Sequence, residues 1–149
     1  MRKLFILLGI IILTFPDSTN ACNCRVKRNV NDEFDRSDVV FIGEILPEER
    51  FTENKLPFGY NINDYLHVYR FIVTKAIKGI SENDTISIIT DNTSCGSNFL
   101  NSKKYIVYGR TTAECGNFSQ LEKTYWTDAC TRTSDFNPKE LKELNSIKQ

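Results

Sequence analysis

The chain has 149 residues, with 19 basic and 19 acidic side chains and a net charge of zero. That balance gives no reason to expect a polyanion, so nucleic acid is not an expected partner. With 40% hydrophobic and 26% charged residues the composition is that of a folded domain, and the length suits one core.

Arg2 and Lys3 make a short positive start, and Leu4 to Phe15 is an almost unbroken apolar run. The run is short for a bilayer span. Pro16, Asp17 and Ser18 break it, and Thr19-Asn20-Ala21 leads to Cys22. This is the pattern of a cleaved signal peptide over residues 1–21, with a mature domain over 22–149. Removing Arg2, Lys3 and Asp17 takes the net charge from 0 to about −1. The expected location is extracellular, or the periplasm or cell surface of a bacterium. A lipoprotein-type cut before the same cysteine is the competing reading, and the chain meets a membrane only in that case. Thr19 and Asn20 fit that recognition badly.

The mature chain then begins Cys22-Asn23-Cys24. A free terminal amine and the carbonyl of the same residue can together grip a metal ion. The other cysteines stand far downstream, at Cys95, Cys115 and Cys130. Five cysteines in an exported domain imply two disulfides and one spare thiol, with the pairing open at this point.

Val26 to Arg36 is polar, with Val30 and Phe34 four apart. Asn31 is the expected cap of a short helix, with Asp32 and Glu33 in its first turn. Val39 to Ile45 is β-branched and aromatic and predicts a strand, and Gly43 within it predicts a bulge or bend. Leu46 to Tyr65 is a long polar connection. His67 to Ile77 alternates as a half-buried strand does, and Lys78-Gly79 turns the chain. Thr85 to Thr90, Lys104 to Gly109 and Thr124 to Ala129 predict three further strands, with a polar loop from Arg110 to Lys123. Asn137-Pro138 starts a helix whose Leu141, Leu144 and Ile147 share a face. Five strands, short helices and disulfides in this length fit an all-β fold, a small Greek-key barrel stapled by its cysteines.

Cys22-x-Cys24, the stretch Ser37 to Gly43, Lys78-Gly79, Cys95-Gly96, Tyr105 to Gly109 and Cys130-Thr131-Arg132-Thr133 come in an order that is informative as a set. Together they resemble the N-terminal, netrin-like domain of the tissue inhibitors of metalloproteinases, most closely their single-domain, bacterial-type relatives. The likeness covers nearly the whole mature chain. It implies a five-stranded OB-fold and disulfides Cys22–Cys95 and Cys24–Cys130, each worth about 4 kcal/mol on the chain-entropy estimate. It also implies an inhibitor that needs no cofactor and acts as a monomer on a zinc metalloprotease. The amine and carbonyl of Cys22 would close a chelate ring on the protease zinc and displace its water. Asn23 would enter the pocket beside the metal, and Cys24 and Arg25 would follow along the cleft. Thr93-Ser94-Cys95 would form the second edge of the wedge. Asn23 stands where the family usually has Thr or Ser. The family's third bridge and C-terminal domain are absent, and Cys115 has no counterpart.

Other readings attach to the same residues. Cys-x-Cys can be purely structural, as in a netrin-like binding module without a protease target or a lipid-anchored envelope protein. His67, the lone histidine, reads as a surface residue at a strand start. Cys115 reads as a spare thiol, since no basic partner stands near it. No acid–base pair or nucleophile constellation points to an enzyme. Trp126 and most Tyr and Phe residues fall on strand patterns and read as core. Asn83-Asp84-Thr85, Asn92-Thr93-Ser94 and Asn117-Phe118-Ser119 match the N-glycosylation pattern, and a glycan on Asn92 would cover the wedge.

Overall fold

In the computed structural model, which describes residues 22, 24, 28–46, 66–101, 103–111 and 123–147, the first helix, α1, runs Val30–Arg36. Its cap is Asn29 and not the expected Asn31. The Asn29 side chain accepts from the Asp32 backbone N–H at 2.8 Å. Starting two residues earlier places Val30 inside the helix, where it is buried against the barrel. The expected signal segment 1–21, the connection 47–65, Asn23, Arg25, Cys115 and the Asn117 glycosylation pattern lie outside the described residues.

Strand β1 (Val39–Ile45) follows as expected, then β2 (Leu66–Lys78), β3 (Thr85–Asp91) and β4 (Lys104–Thr111). Strand β5 (Thr124–Trp126) is shorter than expected and ends before Ala129. A two-residue strand, β6 (Ser134–Asp135), has no counterpart in the sequence reading. Helix α2 (Pro138–Ile147) starts where Asn137-Pro138 predicts, and Asn137 Oδ1 accepts from the Lys139 N–H at 3.0 Å.

The strands close into a five-stranded barrel in the order β1-β2-β3-β5-β4, with β4 returning to β1. All pairings are antiparallel except β3–β5. This is an OB-fold-like barrel. Its closure depends on the length of β2. The first half of β2, Leu66 to Ile72, pairs with β3, while Phe71 to Lys78 pairs with β1. Two register shifts bend it, leaving Thr74 and Ile77 as the extra residues opposite β1. The first shift lies between Ile42 and Gly43, so the expected irregularity is there, with the extra residue on the partner strand. A Cβ at Gly43 would stand 2.9 Å from the Ile72 carbonyl oxygen and 2.7 Å from the Phe41 ring, so only glycine lets β2 come this close. Gly79 turns the chain with φ +69°, and a Cβ there would lie 2.0 Å from the Asp38 carbonyl oxygen.

The bulges also invert which face of β2 points inward. Phe71 and Val73 face the barrel interior together with Ala76, while Ile77 joins the outer cluster. Strands β1 and β4 are buried on both faces, which is why each reads as a continuous apolar run. Val39, Phe41, Tyr105 and Val107 fill the interior. Val40, Ile42, Ile106 and Tyr108 face outward, under Val30 and Phe34 of α1 and Leu141, Leu144 and Ile147 of α2. Phe99, from the β3–β4 connection, plugs one end of the barrel. Its ring meets Tyr69, Phe71 and Tyr105 edge to face, with centroids 4.9, 5.1 and 5.0 Å away.

Candidate functional site: the stapled N-terminal ridge

Two turns at the end of the β3 and β5 strands make the platform. The first spans Asp91 to Ser97 and is closed by its own polar side chains. Asp91 Oδ1 accepts from the Thr93 N–H at 2.8 Å, and Thr93 Oγ1 accepts from the Cys95 N–H at 3.1 Å. The Gly96 N–H donates to the Thr93 carbonyl at 3.0 Å, and the Ser97 N–H donates to Thr90 Oγ1 at 2.7 Å. A Cβ on Gly96 would fall 1.7 Å from the Asp91 carbonyl oxygen, so the turn admits no larger residue without opening. Thr93 and Ser94 are exposed on it, and Cys95 is half-buried.

The second turn runs from Thr127 to Thr133. Asp128 Oδ1 accepts from the N–H groups of Cys130 and Thr131, at 2.8 and 3.0 Å. Thr127 is fully buried, and its hydroxyl donates to the Tyr108 carbonyl at 3.1 Å while meeting Thr131 and Thr133. This hydroxyl cluster ends β5 early, because the chain turns in to satisfy the Tyr108 carbonyl. The two turns are bonded to each other, the Ala129 N–H donating to the Cys95 carbonyl at 2.8 Å.

The Cys-x-Cys segment is stapled across both. Cys22 pairs with Cys95 and Cys24 with Cys130, with Cα separations of 5.2 and 5.3 Å. The bridges close loops of 73 and 106 residues, worth about 4–5 kcal/mol each by chain entropy. The structure thus brings Cys22, Cys24, Thr93, Ser94, Cys95 and Cys130 into one ridge, while Asn23 and Arg25 lie outside the described residues. Such bridges belong to an oxidising compartment. No helix among the described residues is long and apolar enough to cross a membrane.

Behind the ridge lies an ionic network that the sequence reading did not anticipate. Glu33 of α1 is fully buried, held by Arg28 at 2.9 Å and by Arg110 of β4 at 3.0 Å. Glu140 of α2 is nearly buried and takes a two-point contact from Arg132, Nε to Oε1 at 3.0 Å and one terminal nitrogen to Oε2 at 2.9 Å. The Tyr108 hydroxyl donates to Glu140 Oε1 at 2.7 Å. Burial, and after it this bond to a carboxylate, push the Tyr108 phenol far above its ordinary value. The same Glu140 contact raises Arg132. The two halves meet where the other terminal nitrogen of Arg132 donates to the Arg28 carbonyl at 2.8 Å. Glu33 and Glu140 are visible in the sequence as acidic residues in helical first turns, a pattern that points to solvent. The available signal was Arg132 between two threonines, two residues after Cys130.

His67 is exposed, and its Nε2 contacts Asn92 Oδ1 at the foot of the Cys95 turn. Trp126 is only partly buried, with its indole N–H on Asp128. Asn83 and Asn92 of the glycosylation patterns are both exposed. No cluster of three or more metal-ligating side chains occurs among the described residues. No protein-family model and no curated protein sequence matches this chain.

Proposed function

We propose that this chain is a secreted inhibitor of zinc metalloendopeptidases that works through Cys22 as the first residue of the mature protein. The observation that supports it is the double staple: both cysteines of Cys22-x-Cys24 are bridged to turns that are themselves hydrogen-bonded together. A purely structural tether needs one bridge. Two bridges, at Cys22 and Cys24, fix both cysteines to the platform. Chelation by a terminal residue requires this, because an ordered chain end loses little entropy on binding.

In this reading a peptidase removes residues 1–21 and frees the Cys22 amine. Its ordinary pKa is about 7.7–8.0, so a useful fraction is neutral near pH 7, and a metal favours the neutral form further. Amine and carbonyl take the open position of the target's zinc and displace its water. Asn23 enters the neighbouring pocket, Cys24 and Arg25 line the cleft, and Thr93-Ser94-Cys95 forms the second edge. The zinc belongs to the protease, and the inhibitor itself performs no reaction.

The test is titration of a panel of zinc endopeptidases with correctly processed protein. One alanine added before Cys22 converts the amine into an amide and pushes a side chain toward the metal. Inhibition should then fall by orders of magnitude while both disulfides and thermal stability persist. Equal inhibition by the extended form would refute the mechanism. The Asn92-Thr93-Ser94 pattern favours a second reading, a netrin-like protein-binding module. A glycan found on Asn92, with no protease inhibited at micromolar concentration, would establish that reading instead.

A further inference from the structure

The bridges at Cys22 and Cys24 tie the N-terminal segment to the two turns, but neither holds the chain on the α1 side of Cys24. A third point of attachment lies four residues after Cys24. The Arg28 carbonyl accepts from Arg132 at 2.8 Å, and the Arg28 side chain reaches the fully buried Glu33 at 2.9 Å. Arg132 in turn stands two residues after Cys130, the partner of Cys24. Bridge and hydrogen bond therefore close a short ring that joins the N-terminal segment to the start of the C-terminal region.

What makes Arg132 more than a tether is that its guanidinium cannot turn. Two of its nitrogens are committed to the two oxygens of Glu140, and Glu140 is held again by the Tyr108 hydroxyl. Tyr108 sits at 0% exposure on β4, beneath α2. The third nitrogen is thereby aimed at the Arg28 carbonyl by the barrel wall itself. A planar fork with donors on three sides can do this, whereas an ammonium group cannot hold a two-point carboxylate contact and a fixed third direction together.

We propose that Arg132 is a positioning residue for the N-terminal ridge: it transmits the fixed orientation of Glu140 and Tyr108 to the Arg28 carbonyl and so anchors the chain on the α1 side of Cys24. Its consequence for inhibition rests on the function proposed above. Its consequence for order in the N-terminal segment does not. Removing the fork leaves both disulfides in place but costs the segment its anchor at Arg28. The ordering lost must then be regained on each binding event, and this shows in the dissociation rate of a complex.

The experiment uses the processed, disulfide-intact chain with Arg132→Gln and Arg132→Lys. Amide hydrogen exchange is followed over residues 22–29 and, separately, over β1 and β4. Arg132→Gln should speed exchange in 22–29 by about tenfold or more, the usual scale for losing a charged hydrogen bond, with a smaller change at the β1 and β4 amides from the stability lost when Glu140 is left unpaired. Arg132→Lys should fall between the variant and the native chain. Dissociation from any zinc endopeptidase that the native chain inhibits should quicken by a similar factor. Unchanged exchange over 22–29 in Arg132→Gln would overturn the proposal, and so would equal loosening of β1 and β4, since that marks a general structural role. If Arg132→Gln does not fold, Arg132→Lys is read alone, and native-like exchange in it overturns the proposal. If the native chain inhibits no protease, the inhibitor reading fails and the exchange data still decide the role of Arg132.

Discussion

The two faces of β1 and β4 are buried to the same degree by different means. The inner face is apolar and aromatic, with Phe41, Phe71, Phe99 and Tyr105 meeting edge to face. The outer face lies under two helices and contains Glu33, Arg110, Tyr108, Glu140 and Arg132 within one bonded network. The inner face gains its stability from area removed from water and is indifferent to direction. The ionic network of the outer face adds little net stability to its apolar packing, because desolvation of the charges offsets most of their attraction. Its bonds are directional, and they lead to Arg28 and so to the ridge. The difference separates the apolar packing that holds the barrel together from the directional bonds that reach Arg28.

Phe71→Ala strikes the inner face and should have the largest effect. Phe71 is fully buried, and truncation should cost about 3–5 kcal/mol through lost contact and a residual cavity. Urea unfolding should show a lower midpoint with an unchanged slope, and exchange should quicken in barrel and ridge together. A loss confined to the ridge would contradict the division of labour between the faces.

Glu33→Gln strikes the outer face. The carboxylate is fully buried, but the Arg28 and Arg110 side chains are 28% and 20% exposed, so water can still reach them. The cost should be about 2 kcal/mol, below that of breaking a wholly buried pair. Exchange should rise first near Arg28 and only later in β1. Chemical denaturation gives the magnitude, and residue-resolved exchange gives the order of events.

Asp84 touches neither face and should show the smallest effect. The hydrogen bond from Lys123 at 2.8 Å holds its carboxyl below the usual value of 3.8. The unfolded chain therefore binds this proton more readily than the folded one. The stabilisation is fully present above about pH 3.8 and is lost as pH falls through the lower folded-state value. Asp84→Asn should flatten the dependence of stability on pH below about 3.8, measured by urea titration, and leave stability at pH 7 little changed.

The sequence by itself determined the elements whose cause is local. The β-branched and aromatic runs of β1, β3 and β4, the alternation of β2, the Lys78-Gly79 turn and the Asn137-Pro138 helix start all stand where they were expected, because propensity and turn chemistry act over a few residues. Tertiary structure decided the rest. Asn29 caps α1 in place of Asn31 because Val30 has to sit within the helix to be buried against Ile106 and Tyr108. β5 ends at Trp126 because the Thr127 hydroxyl is drawn under the Tyr108 carbonyl, and β6 exists only because β4 has a free edge at Tyr105 and Ile106. The partners of Cys22 and Cys24 stand 73 and 106 residues away, a distance over which no local pattern acts, and the barrel's closure brings their Cα atoms within bonding range. Glu33 and Glu140 are the sharpest case. A carboxylate in a helical first turn looks the same in sequence whether it faces water or an arginine, and only the packing of α1 and α2 over β4 determines which it meets.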